Sequence, residues 1–147
     1  MKKLIVFVVI SLFFISASFA AVADVGTCTE SIDSDPSSNL KILIVDCTAA
    51  VGDIVRTLTS AVGLQRHMLM QVDIKPIVLP TATSDLYIYN DNGIDAAAGQ
   101  LVDKVTTTST QVIMSDKPIL FGNWRIDLDN NAVAGARIIF KFYLYKL

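Results

Sequence analysis

The stretch Leu64–Lys75, LQRHMLMQVDIK, decides how this chain is read. Its even positions, Leu64, Arg66, Met68, Met70, Val72 and Ile74, are apolar apart from Arg66. Its odd positions, Gln65, His67, Leu69, Gln71, Asp73 and Lys75, are polar apart from Leu69. A period of two is the pattern of a strand with one buried and one wet face. At about 3.3 Å per residue the strand would span about 40 Å, long by ordinary measure. Met68-Leu69-Met70 is apolar on both faces, which predicts a bulge or bend where the strand passes from one sheet to another. His67, the only histidine, falls on the wet face and reads as a surface residue. Arg66, inside the apolar face, is expected to pair with an Asp or to snorkel to the rim.

The flanks follow the same logic. Leu40–Cys47, LKILIVDC, is almost continuously apolar and reads as a central strand. Between Thr48 and Gly63 the apolar residues fall at helical spacing, yet IVRTLTS is good strand material, and the reading favours a hairpin strand over Asp53–Thr59. The long strand stops at Pro76. Asp85–Asn90, DLYIYN, is a strand with Leu86 and Ile88 on one face and Tyr87 and Tyr89 on the other, followed by a turn at Asn90-Asp91-Asn92-Gly93. Ile94–Lys104 reads as a short strand plus a helical turn, and Val105–Met114 as a Thr-rich strand. Gly122–Leu128 places Trp124, Ile126 and Leu128 on one side. The last strand, Ala136–Leu147, carries Ile138, Phe140, Phe142 and Leu144 on one face and a second face that is apolar too. A strand apolar on both faces lies either deep in the core or under a partner subunit. Seven or eight strands, mostly near-neighbour antiparallel, predict an all-β sandwich of jelly-roll or Greek-key type over 40–147, with room for one short helix.

The N-terminus adds a compartment. Met1-Lys2-Lys3 precedes a charge-free run, Leu4–Ala23, that ends in small residues. That is the form of a secretory signal peptide over 1–23, with an uncleaved membrane anchor as the rival. Residues 24–39, rich in Ser, Asp and Thr, read as an extended lead-in. Without Lys2 and Lys3 the chain has ten basic residues against fourteen acidic ones, a net charge of −4. No basic run exists, which argues against nucleic acid as a partner; membrane contact is expected only through an uncleaved N-terminal segment. Cys28 and Cys47 are expected to form one disulfide that staples the lead-in to the first strand.

Chemistry is sparse. A serine or cysteine device would need His67, and no nucleophile motif accompanies it. Asp127 and Asp129 share one side of a strand about 6.6 Å apart, a spacing that would suit a carboxylate pair in a hydrolase, but nothing apolar around them predicts a raised pKa. Asp127-Leu128-Asp129-Asn130-Asn131 and the Asp91, Asn92, Asp95 group faintly suggest calcium ligands but lack the glycine and distant glutamate of an EF-hand loop. No metal site, cofactor or catalytic residue is therefore expected. Tyr87, Tyr89, Tyr143 and Tyr145 are the candidate binding residues, as aromatic pairs at period two that could stack on sugars or anchor a protein.

The succession DLYIYNDNGIDAAAGQ, DKPILFGNWRIDLDNN and AVAGARIIFKFYLYK resembles small β-sandwich virion and head-accessory proteins of tailed phages. Those proteins assemble in the cytoplasm without a signal peptide. The exported start, the cysteine pair, Gly135 before the closing strand and Tyr145 near its end are similar to chaperone–usher fimbrial subunits, in which the closing strand's edge receives a partner's strand. Both resemblances imply a non-enzymatic building block acting by self-association or with a partner protein. It would be exported to the periplasm, cell surface or medium, or carried on a virion surface. The alternative is a secreted carbohydrate- or ligand-binding module.

Overall fold

A computed structural model describes residues 24–34, 37–81 and 83–147. The signal peptide or anchor expected over 1–23 lies outside the described residues. Ten strands are present among those described: β1 (Thr27–Ser34), β2 (Leu40–Thr48), β3 (Ile54–Leu58), β4 (His67–Val78), β5 (Thr83–Tyr89), β6 (Val105–Thr106), β7 (Thr110–Ile113), β8 (Ile119–Leu120), β9 (Trp124–Asp129) and β10 (Arg137–Lys146), with one 3₁₀ turn at Ser60–Leu64. They form a large sheet of six strands, ordered β1-β2-β10-β4-β7 with β8 also on β4, and a small sheet of four, ordered β3-β9-β5-β6. Every ladder is antiparallel. The molecule is an all-β sandwich.

The order of the strands differs from the expected near-neighbour arrangement. Among the described pairs, only β1–β2 and β5–β6 join strands consecutive in sequence. The chain changes sheet at most of its connections, so a strand and its sequence successor face each other across the core. The expected strand at Asp53–Thr59 exists as β3, but it pairs with β9 in the small sheet rather than forming a hairpin. Within the extended segment expected over 24–39, residues 27–34 form β1, a full edge strand on β2, with Thr27 opposite Thr48 through Ser34 opposite Lys41. In place of the short strand plus helical turn expected at Ile94–Lys104, the chain makes one isolated bridge at Asp95 and then a run of turns, closed by Ala98 N–H to Asp95 O, Gln100 to Ala97 and Val102 to Gly99. It borders β5, donating from Ala96 to Ile88 and accepting at Leu101 from Leu86. The expected strand at Val105–Met114 is two short strands in different sheets, β6 and β7.

The long strand carries its bulge at the expected place, with a different consequence. Leu144 lies opposite Leu69 and Tyr143 opposite Gln71, so Met70 is the extra residue. β4 stays beside β10 throughout and does not cross to the other sheet. The bulge instead shifts the inward phase from odd to even positions: His67 and Leu69 are buried before it, Val72 and Ile74 after it. His67, read as a surface residue, is therefore inside, 4% exposed. Its Nδ1 lies 3.1 Å from the Gln65 carbonyl, while Nε2 is buried without a partner. Arg66 is exposed in a turn at φ 63, not in the apolar face of a strand. Pro76 does not end the strand. It sits at a second register shift, where β7, which pairs only as far as Ile74, has already left β4 with a neighbour on one side.

The core is continuous between the sheets. Leu43, Val45 and Cys47 of β2 and Ile138, Phe140, Phe142 and Leu144 of β10 are wholly buried with Ile54, Ile88 and Ile126 of the small sheet. β10 is thus an interior strand with hydrogen-bonded neighbours on both sides, so a partner's strand has no free edge to join there. Cys28 and Cys47 are direct cross-strand partners and are disulfide-bonded, with 4.1 Å between their Cα atoms. One open side of the sandwich is closed by charge. Arg56 on β3 pairs with Asp24 at 2.9 Å and with Glu30 of β1 at 3.6 Å, and the Thr57 and Thr59 N–H groups donate to the same two carboxylates.

Candidate functional site

The four candidate tyrosines do not form one surface. Tyr87 and Tyr89 stand on the outside of the small sheet and Tyr143 and Tyr145 on the outside of the large one, so they look out from opposite sides of the sandwich. Each sheet's outer face is built by its register.

On the small sheet, Tyr89 lies opposite Arg125, Tyr87 opposite Asp127 and Asp85 opposite Asp129. Val55 and Thr57 of β3 complete these rows from the other side of β9. The two tyrosine rings stack with centroids 5.7 Å apart and planes 18° from parallel, a favourable offset arrangement. The Arg125 guanidinium lies 4.8 Å from the Tyr89 ring centroid. It also grips Asp127 with two bonds, Nε at 2.8 Å and Nη2 at 2.9 Å. Asp85 accepts from the Asp103 N–H at 2.8 Å and from the Asn130 amide. Asp129 has no hydrogen-bond or ion-pair partner among the described residues. Contrary to the sequence reading, its carboxyl is pushed above the usual carboxylate range. Burial is the largest cause, followed by the charges of Asp127, Asp53 and Asp85, with Arg125 opposing. The phenols of Tyr87 and Tyr89 are raised too, by burial first and then by the surrounding aspartates. A raised and an ionised carboxyl together are what acid–base hydrolysis requires. Asp127, however, is engaged at both oxygens by Arg125 and is not available as a base.

The faint calcium signals resolve into structural bonds. The Asn131 side chain donates to the Gly52 and Val133 carbonyls and accepts from Thr81 N–H. Gly52 is required there: at φ +117, an added Cβ would meet the Asn131 carbonyl. Asp95 accepts from the N–H groups of Ile88, Ala97 and Gly99, and Asp91 from Asn123. No cluster of three or more potential metal ligands occurs among the described residues.

On the large sheet, β10 is the centre of four cross-strand rows. Leu40, Tyr145, Met68 and Ile119 form the first, Ile42, Tyr143, Gln71 and Ile113 the second. Ile44, Lys141, Asp73 and Gln111 form the third, and Asp46, Ile139 and Lys75 the fourth. The face therefore grades from apolar to charged along the strands. The apolar end is open: Ile113 is 69% exposed, Tyr145 44%, Ile119 41% and Leu40 40%. At the charged end, Asp73 accepts from three neutral donors, the Tyr143 hydroxyl at 2.8 Å, Gln71 at 2.7 Å and Gln111 at 3.3 Å. The bond to Asp73 is the main reason the Tyr143 phenol is raised. Lys75 and Lys141 are left without an ion-pair partner among the described residues. They line a groove of about 240 Å³ with Asp73, Thr110 and Gln111. At the corner, Arg137 holds Asp46 by two bonds, at 3.0 and 2.6 Å.

Sequence reading found the tyrosines but missed the residues that give each face its character, namely Arg125, Asp73, Lys75, Lys141 and the outward isoleucines. The isoleucines left a signal. Leu40–Cys47 is the central strand expected, between β1 and β10, and its apolar residues occupy both parities because Leu40, Ile42 and Ile44 point outward while Leu43, Val45 and Cys47 point inward. Comparison with protein-family models, with curated proteins and with solved structures yields no match.

Proposed function

We propose that this protein is a non-enzymatic structural protein, a β-sandwich building block of a virion or surface assembly that acts by packing its outer sheet faces against further subunits. The observation that carries this reading is the open apolar end of the large sheet, where two adjacent rows, Leu40–Tyr145–Met68–Ile119 and Ile42–Tyr143–Gln71–Ile113, are apolar but for Gln71, with Asp33 of β1 opposite Ile42 at the sheet's edge. A contiguous apolar patch on a sheet is a mark of an interaction surface. Five strands across, at about 4.8 Å each, and nine residues along, at about 3.3 Å, give this face on the order of 700 Å². A stable protein interface needs about 800 Å² from each partner. The disulfide is compatible with export, and no helix among the described residues is long and apolar enough to cross a membrane. Size-exclusion chromatography with light scattering tests the reading. Mass that rises with concentration is expected, and a strict monomer at millimolar concentration overturns it.

The second reading is a secreted carbohydrate- or ligand-binding module on the small sheet. It is favoured by the stacked Tyr87–Tyr89 pair with Arg125 beside it. A glycan-binding screen of the wild type against the Tyr87→Ala, Tyr89→Ala variant tests it; equal binding by both removes it.

A further inference from the structure

Resting on the assembly reading above, we infer that copies of this chain associate head to tail, the outer face of the large sheet in one copy docking on the outer face of the small sheet in the next. The two faces are unlike and complementary. The large sheet offers aliphatic and tyrosine rows that end in two cations, Lys75 and Lys141, neither with an ion-pair partner among the described residues. The small sheet offers the Tyr87–Tyr89 stack and Val55, with the mutually paired Arg125 and Asp127 in the same rows, ending in Asp129, which has no partner among the described residues; Asp85 beside it is buried and bonded to Asp103 N–H and Asn130. The carboxylate across the strand from Lys141, Asp73, is bonded to Tyr143, Gln71 and Gln111 and makes no ion pair with either lysine. Both faces run from tyrosine-bearing rows to an end that carries charge without an ion-pair partner among the described residues, so a single superposition sets tyrosine rows on tyrosine rows and the ammonium groups near Asp129.

The symmetric alternatives are worse. Two large-sheet faces together set lysine rows on lysine rows or bury them against isoleucines, and two small-sheet faces set Asp129 on Asp129 or on the Tyr89–Arg125 row, whose guanidinium is already held by Asp127. Like charges at an interface cost affinity and so select against such pairings. Because the two faces look out from opposite sides of the sandwich, the contact does not close on itself, and it propagates as a stack. With sheets packing about 10 Å apart, each copy would advance the stack by about 20 Å.

Charge exchange between the faces tests this. Lys75→Glu with Lys141→Glu alters the large-sheet face, and Asp129→Lys alters the small-sheet face. Each variant alone is expected to weaken association at least tenfold in light scattering. An equimolar mixture is expected to regain wild-type mass, since the altered faces then match. Lys75→Gln with Lys141→Gln and Asp129→Asn, which perturb folding less, are expected to weaken it in the same direction. A wild type that stops at a closed dimer, or an Asp129→Lys variant that assembles normally, overturns the head-to-tail arrangement while leaving the assembly reading intact. So does a mixture of folded variants that stays dissociated. A wild type that is monomeric throughout overturns both.

Discussion

Two aspartates show how the same side chain acquires opposite roles from its neighbours. Asp46 is held below the usual carboxylate range, mainly by its hydrogen bonds from Arg137, with burial working the other way. Asp129 is held above that range by burial and by the aspartates around it. A lowered folded-state pKa contributes stability that is present above the unfolded value, about 3.9, and is lost as pH falls through the folded value. A raised one does the reverse: its contribution is complete below about 3.9 and is lost as pH rises through the folded value. Asp46→Asn should therefore melt below the wild type at pH 7, and the gap should close in strong acid. Asp129→Asn should melt above the wild type at pH 7 in dilute, dissociated protein, and that advantage should vanish below about pH 4. Thermal melts from pH 2 to 7 check both. Two curves of the same sign would mean that the local environments are wrongly described. Neither environment was visible in the sequence, because Arg137 is far from Asp46 along the chain and meets it only through the pairing of β10 with β2.

At the level of single strands, β10 and β4 carry the fold. Phe140 is wholly buried at the centre of β10, between Val45 on β2 and Ile74 on β4. Phe140→Ala should cost about 3–5 kcal/mol in chemical denaturation. A loss under about 1 kcal/mol would show that the site collapses around the gap. The bulge at Met70 makes a sharper test. Deleting Met70 restores strict two-residue alternation and turns either His67 and Leu69 or Val72 and Ile74 outward. The deletion should unfold the protein, as read by loss of cooperative melting, whereas Met70→Leu should be tolerated. This also explains which parts of the fold the sequence disclosed. β5, β9 and β10 have clean alternation and were placed to within a residue or two, with the right faces. The long strand was found, and its bulge located from Met68-Leu69-Met70, but one extra residue reverses parity, so His67 was assigned to the wrong face. The pairing of β3 with β9 depends on contacts distant in sequence; β1 pairs with the next strand, but its run TCTESIDS is mostly polar and carries no apolar face that would announce a strand.

At the scale of the molecule, β1 is joined to the rest by one disulfide, one ladder and the Asp24 and Glu30 contacts with β3. Cys28→Ser with Cys47→Ser should lower stability by roughly 3 kcal/mol, the value expected for a loop of this size. Amide exchange should then quicken first in β1, then in β3, while β10 stays protected. Uniform exchange across both sheets would contradict the view of β1 as a covalently secured margin. The aromatic residues of both faces were legible in the sequence, because tyrosines at period two announce a shared face. That the two pairs look in opposite directions was not, since it follows from β5 and β10 belonging to different sheets.

The crosslink also sets how the chain would bear a load applied at its N-terminal end. Tension entering at Asp24 first loads its contacts with β3, namely the Arg56 ion pair and the Val25–Val55 bridge; once these part it reaches Cys28 and passes through the sulfur bridge directly to Cys47, beside the central strand. The sequence between the two cysteines, which are 19 positions apart, is shielded from extension. In the reduced protein that length becomes available, and at about 3.6 Å per residue the tether would lengthen by roughly 65 Å. A subunit held by its leading end would thus be short and stiff when oxidised, and would gain a hidden reserve of slack when reduced.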